Sequence, residues 1–405
     1  MRRSHLVKGI RTTIAGGVAV ALAGSALGQS EPVNEPSPWK LSALLDLGGV
    51  YDSNIDRDAS NEKDDFFFDA GVGVRAVYSV PDFDASGLGF AHQRAYAETS
   101  RKNFSGFGEV LKLSYGAPED LVFGVYQSFR RVEDVDAYGE EVAGIASHDA
   151  FLNADVRRER DICEAGGTVG AAFGDKRDLK VGYGFNQTED RSGNLLDITT
   201  HAAQIEGAQR LTDRSAGLFT LLGSLQESEN VDDMGVYKAA RLGLTTRRTD
   251  RITLKAGAGY QVFDHPDSSE VSDAFHYDGQ ASWRATDKTV LRLSARNGVQ
   301  LSSLYDGNVV DFTVIRLGVT TQMTDAFALS LSGVYRVDDY HDPVVFESNT
   351  VHRRDEGIAA VFRVDYALPP KQNLRVFAEV SQETMDSTTR DYAVTRAGAG
   401  VQLRL

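Results

Sequence analysis

The sequence feature that most constrains the fold is a strict period-two alternation of apolar and polar residues over long segments. In residues 66–80 one phase is aromatic or aliphatic, whereas the other contains Asp69 and Arg75. Residues 252–262 and 275–284 repeat this pattern. Successive side chains of a β-strand point to opposite faces, so each segment predicts a strand with one apolar and one polar face.

These segments are longer than ordinary globular strands. They run to about 11–14 residues, whereas globular strands usually have about 5–6 and a tilted strand crosses a bilayer with about 9–11. The polar phase carries charged side chains in mid-segment, so it must meet water or charged partners. Such two-faced strands in large number are typical of a transmembrane barrel. We therefore predict an all-β fold, a single up-and-down antiparallel transmembrane β-barrel.

The number of predicted strands is about 18, an even number that leaves both termini on the periplasmic side. Residues 148–173 are too many for one strand and could hold a bent strand, a loop hairpin or an extra pair, so 16 and 20 strands remain open. The predicted strands are 39–51, 66–80, 87–98, 103–115, 121–131, 148–173, 178–189, 200–211, 215–227, 235–247, 251–263, 274–285, 289–301, 309–323, 326–338, 354–368, 372–385 and 391–405.

Short and long connections alternate between the predicted strands. Five short connections carry an aspartate, spaced by 37 or 38 residues: Asp175, Asp213, Asp250, Asp287 and Asp325. Longer polar connections such as 226–235, 265–273 and 341–353 lie between them. Short periplasmic turns and longer outer loops are typical of outer-membrane barrels. A propeller, whose blades repeat every ~40–45 residues, fits worse because each repeat here supplies two long strands.

The first 28 residues have the pattern of a secretory signal peptide. A basic start is followed by a short apolar stretch, Thr12–Leu22, and Ala26 and Gly28 supply the small residues of a cleavage site. That stretch is too short for a spanning helix. We predict a signal peptide at 1–28, a periplasmic linker at 29–38 and an outer-membrane barrel at 39–405.

Charge and side-chain chemistry exclude several function classes. Removing the four cations of the signal peptide from a net charge of −15 leaves −19, which argues against nucleic acid as a partner. The single cysteine cannot form an internal disulfide, and the histidines show no metal-ligand spacing. The acidic segment 52–65 resembles a calcium loop, but Arg57 and Lys63 stand where a glycine and a glutamate are required. We expect no enzyme activity, no cofactor and no metal.

The polar phase of the second half of the chain predicts a charged lumen wall. A barrel of 16–18 strands encloses a water-filled channel, so its inward residues decide the function. The predicted lumen-lining residues are Lys255, Arg284, Arg292, Arg296, Arg316, Arg336, Arg363, Arg375, Arg396, Asp278, Asp338 and Asp365. Two interpretations stay open: a cationic wall that guides an anionic solute or polymer, and paired charges that only keep the lumen wet.

The first predicted hairpin carries a family resemblance. Residues 45–55 (LDLGGVYDSNI) end in a Tyr-Asp-x-Asn element and precede an acidic loop and the alternating segment 66–78. This arrangement resembles the start of a family of outer-membrane β-barrel porins, whose members are often linked to exopolysaccharide export. The resemblance implies a porin barrel and the passage of a long polymer. The chain departs from the usual pattern at Leu405, where an aromatic residue is common.

Two functions follow as hypotheses. The first is a porin-like channel that passes small solutes or serves as the exit conduit for a secreted polysaccharide, and the alternative is a non-conducting structural or surface-interaction barrel. The expected partners are outer-membrane lipid, lipopolysaccharide, the outer-membrane assembly machinery and polysaccharide-export components. The sequence leaves the oligomeric state and the solute open.

Overall fold

The computed structural model describes residues 37–55, 62–100, 103–116, 121–133, 159–174, 176–191, 197–228, 234–264, 272–301, 308–346, 349–368, 373–387 and 391–404. The predicted signal peptide and residues 29–36 of the predicted linker lie outside these ranges and stay predictions. Within the ranges, no helix has the length and apolar character needed to cross a membrane.

Eighteen strands form one antiparallel sheet in which each strand pairs with the next, and the sheet closes where the first strand pairs with the last. These strands are β1 Trp39–Asp52, β2 Asp65–Val80, β3 Phe83–Tyr96, β4 Phe104–Tyr115, β5 Leu121–Glu133, β6 Glu159–Phe173, β7 Arg177–Asp190, β8 Ile198–Thr212, β9 Ser215–Ser228, β10 Gly235–Thr249, β11 Ile252–Asp264, β12 Ser272–Arg284, β13 Thr289–Leu301, β14 Val309–Gln322, β15 Phe327–Tyr340, β18 Arg354–Leu368, β19 Leu374–Ser387 and β20 Tyr392–Arg404. A separate hairpin joins β16 Val344–Phe346 to β17 Asn349–Val351.

The prediction of an all-β barrel with 18 strands is confirmed. In the ambiguous segment, β6 begins at Glu159, and residues 148–158 lie outside the described ranges. One strand boundary was wrong. β3 begins at Phe83 rather than at residue 87, because Asp82 adopts φ +62° and closes a two-residue turn. The connection 341–353, predicted to be one of the longer polar connections, contains the β16–β17 hairpin.

The apolar phase of the strands forms the outer surface of the barrel. Leu242 exposes 73% of its surface and Phe275 exposes 62%. At the tight-turn end this surface is rimmed by aromatic residues, namely Trp39, Tyr78, Tyr115, Phe173 and Trp283. Aromatic girdles of this kind mark the membrane–water interface.

The inward phase differs between the two ends of the barrel. Toward the long connections it is buried, with apolar clusters such as Ile55–Phe67–Tyr96 and Met385–Tyr392–Val394. Toward the tight turns it is mostly exposed, for example at Arg75 and Lys112. We call these regions the packed half and the open half of the lumen.

Candidate functional site

All of the predicted lumen residues lie in β11–β15 and β18–β20, on the phase that alternates with the exposed apolar residues. The register brings several of them side by side. Asp278 is the cross-strand partner of Arg296, and Arg336 lies two strands further along, beyond Val314, which pairs with both arginines. Their role as the lining of a conducting path stays a prediction.

Four of the predicted cations in the open half are exposed and have no acidic partner among the described residues. Lys255, Arg284, Arg292 and Arg375 are exposed, and none of them takes part in a salt bridge with the rest of the described chain. Their surroundings explain this. Arg292 lies between Ser282 and Gly318, which are its uncharged neighbours on the adjacent strands. These four cations therefore lie on the inward face without a fixed carboxylate partner among the described residues.

Other predicted guanidinium groups are held by carboxylates of the same strand. In the packed half, Arg336 Nε lies 2.8 Å from Asp338 Oδ1, and the two side chains expose only 3% and 2% of their surface. Nearer the tight turns, in the open half, Arg363 repeats the arrangement with Asp365 at 3.1 Å, and Glu379 lies 3.7 Å from Nη1 of the same arginine. Residues i and i+2 of a strand share a face, so the Arg-x-Asp motif itself produces these inward pairs.

Aromatic rings lie close to several of these guanidinium groups. The ring centroid of Phe312 lies 5.2 Å from Cζ of Arg296 and 5.5 Å from Cζ of Arg336. Arg363 lies 4.3 Å above the ring of Phe377. Cation–π contacts at these distances add to the ion pairs and fix where the positive charge meets the lumen.

Sequence reasoning missed several members of the wall. Arg241 of β10 donates from Nη1 to Asp278 Oδ1 at 2.8 Å and from Nη2 to Thr220 Oγ1 at 3.3 Å. The sequence does contain a signal for Arg241: it alternates with the apolar Leu242, which would have placed it on the inward phase. Exposed cations also occur in the first half of the chain, at Lys40, Arg75 and Lys112, so the basic wall is not confined to the second half.

One acidic residue was assigned to the wrong place. The sequence predicts Asp52 to be part of the acidic outer loop, but it is the last residue of β1 and is fully buried. Its Oδ2 accepts from Arg396 Nε at 2.9 Å and its Oδ1 accepts from the backbone N of Asn54 at 3.0 Å. The carboxylate therefore links β1 to β20 where the barrel closes, and it does not take part in a metal-binding loop.

The acidic segment 52–65 does not build a metal site in its described part. The carboxylate of Asp65 accepts from the backbone N–H groups of Phe66, Glu98 and Thr99. Among the described residues, no group of three or more His, Cys, Asp or Glu side chains could hold a metal ion. Residues 56–61 lie outside the described ranges.

The closed sheet, its apolar outer surface and its charged interior define a porin-like β-barrel of the outer membrane. Residues 227–405 match the model of the family described as "Putative beta-barrel porin 2", which confirms the resemblance to outer-membrane porins for that part of the chain. The first hairpin, on which the resemblance was based, lies outside the matched range. No protein with curated annotation matches the sequence.

Solved structures with a similar fold include proteins of two organisms. OccAB4 of Acinetobacter baumannii superposes with a TM-score of 0.50 at 10% identity, covering 93% of this chain and 100% of that one. OccK2 (OpdF) of Pseudomonas aeruginosa superposes with a TM-score of 0.50 at 13% identity, covering 91% of this chain and 98% of that one. At such low identity the similarity concerns the fold alone.

Proposed function

We propose that this protein is a water-filled channel that passes small hydrophilic solutes across the outer membrane and favours anions. The observation that supports this proposal best is a set of cations in the open half that are exposed and form no salt bridge with any described residue, exemplified by Lys255, Arg292 and Arg375. If the charges of the wall served only to pair with one another, these cations would have carboxylate partners, as Arg336 has in Asp338. The open half instead presents charge to water.

The barrel size leaves room for such a path. Strands about 4.8 Å apart, tilted by about 40°, give an 18-stranded barrel a backbone radius of about 18 Å. Inward side chains reduce this radius, and barrels of 16–18 strands commonly retain an aqueous channel. The number of strands distinguishes this barrel from small barrels of about eight strands, whose interior is filled by their own side chains.

The packed half favours small solutes over a polymer. Arg336, Asp338 and Asp355 are buried at that end, so a wide path would require buried charged groups to separate. Leaving a buried charge without its partner costs about 3–5 kcal/mol. A chain-like polysaccharide would need this wide path along its whole length, whereas a small solute passes through a narrow one. The polysaccharide conduit is therefore the weaker candidate.

Liposome swelling with neutral solutes of increasing size tests the proposal. Purified protein is reconstituted, and liposomes without protein serve as the control. We expect rapid swelling with a monosaccharide, slower swelling with a trisaccharide and none with dextran. Entry of dextran would favour the polymer conduit. No swelling with any solute, by protein that migrates as a folded barrel in heat-modifiability gels, would favour the non-conducting alternative.

A further inference from the structure

A cleft of about 400 Å³ opens on the outer surface of the barrel at the tight-turn end. It is lined by Phe173, Lys176, Arg177 and Gln209. The register explains why they meet: Phe173 of β6 is the cross-strand partner of Arg177 in β7, and Arg177 is the partner of Gln209 in β8. Three outward side chains thus stand in one row, with Lys176 in the adjoining turn.

Among the described residues, the lining of this cleft is basic and contains no carboxylate. Arg177 Nε donates to Gln209 Oε1 at 2.7 Å, which fixes the guanidinium and leaves its two terminal amino groups for a ligand. The neighbouring Asp178 lies on the inward phase, opposite Ala208, whereas Asp175 lies outside the described ranges. Nothing in the described part of the chain forms a salt bridge with Lys176 or Arg177.

Some other cations at the same rim are paired with carboxylates. Arg251 Nη2 lies 3.3 Å from Asp287 Oδ1, and Arg247 Nη2 lies 3.5 Å from Asp250 Oδ1. These pairs link a turn to itself or to the next turn. The β6–β8 cleft is therefore one of the places on the described rim where two adjacent cations have no described carboxylate partner; Arg214 and Arg248 form another.

The depth of the cleft places it at the level of lipid headgroups. Phe173, which exposes 58% of its surface, is part of the aromatic girdle at the tight-turn end, and such girdles lie at the membrane–water interface. The next row toward the membrane centre contains Ala171, Leu179 and Gly207. A ligand seated on the cations would therefore continue along an apolar surface.

We propose that this cleft binds the phosphate group of a phospholipid in the periplasmic leaflet. Guanidinium, ammonium and amide groups donate hydrogen bonds that match the oxygens of a phosphodiester, and the planar guanidinium can form two of them in parallel. The apolar row beside the cations accommodates an acyl chain. This second feature distinguishes a lipid from free phosphate, which would use the cations alone.

Native mass spectrometry of the detergent-solubilised full barrel tests the proposal. The probes are phosphatidylglycerol, phosphatidylethanolamine and inorganic phosphate, each titrated onto delipidated protein. We expect one saturable phosphatidylglycerol molecule per barrel. The affinity should fall about fivefold in Lys176→Gln or Arg177→Gln and about 30-fold in the double variant, because each cation near an anionic surface contributes about a factor of five. Arg251→Gln, which removes an already paired cation of the same rim, is the matched control.

Three results would overturn the proposal. The first is an equal loss of lipid in Arg251→Gln, which would indicate general attraction by the rim. The second is unchanged lipid binding in the double variant. The third is binding of inorganic phosphate without binding of either lipid. Heat-modifiability gels establish that each variant is a folded barrel, so that loss of binding is not loss of the fold.

Discussion

Neutralising the exposed cations of the open half should reduce the anion preference of the channel by an amount that follows from their position. Lys255, Arg292 and Arg375 are exposed and unpaired within the described chain. A backbone radius of about 18 Å and side chains of about 6–7 Å place each charge about 10 Å from an ion near the axis. In water two unit charges at that distance interact by about 0.4 kcal/mol.

Screening reduces this value. At about 0.1 M salt the Debye length is about 10 Å, which leaves about 0.15 kcal/mol per cation. Three cations together give about 0.5 kcal/mol, and the effect has opposite sign for an anion and a cation. The ratio of chloride to potassium permeability in Lys255→Gln/Arg292→Gln/Arg375→Gln should therefore fall about fivefold. At about 1 M salt, where the Debye length is about 3 Å, the variant and the wild type should agree.

The assay is the reversal potential of a planar bilayer containing many channels under a potassium chloride gradient. A matched control removes three exposed cations from the outward phase, with Lys238→Gln, Arg177→Gln and Arg354→Gln. The control should keep the wild-type permeability ratio within about twofold, because the barrel wall separates these charges from the lumen. An unchanged ratio in the inward variant, or an equal change in both, would refute the assignment of the two faces.

Three further predictions concern stability, measured as the free energy of unfolding in urea with lipid vesicles present. Arg241→Gln and Asp278→Asn should show a coupling of about 1 kcal/mol in a double-mutant cycle, since the two groups lie 2.8 Å apart; additive effects would contradict the pair. Leu317→Arg on the outward phase should lower the free energy of unfolding by about 2–4 kcal/mol, whereas Ser332→Arg on the inward phase of the neighbouring strand should change it little. Equal losses would contradict the assignment of the outward and inward faces. Gly116→Ala should cost about 1–3 kcal/mol, because its φ is +119° and a Cβ would lie 1.9 Å from the carbonyl oxygen of Leu121; Gly89→Ala, with no neighbour within 4 Å, is the control, and an equal effect in both would contradict the strained turn.

Alternation along the chain was sufficient to predict the fold, because the period of a strand is a local property. The apolar phase that begins at Phe66 and Phe68 is the outer surface, as expected, and the strand count followed from repeating that reading along the chain. Ion pairs between two inward residues of one strand could also be predicted from the sequence. Arg336-Val337-Asp338 and Arg363-Val364-Asp365 place both partners on one face by their spacing alone.

Contacts that depend on register could not be predicted. Asp52 and Arg396 are separated by 344 positions and meet only because the sheet closes. Asp52 therefore read as one more acidic loop residue. The packed half could not be predicted from the sequence either, because the burial of Arg336 depends on the strands around it and not on its own strand. The polymer implied by the family resemblance rests on neither kind of signal.

Single-channel recording of the wild-type barrel in a planar bilayer tests the central claim most directly, because that claim is a continuous wet path inside a ring of strands. The account predicts discrete, ohmic current steps that persist at high salt. The absence of current steps would contradict it, provided that the protein has inserted into the bilayer and that heat-modifiability gels show it to be folded.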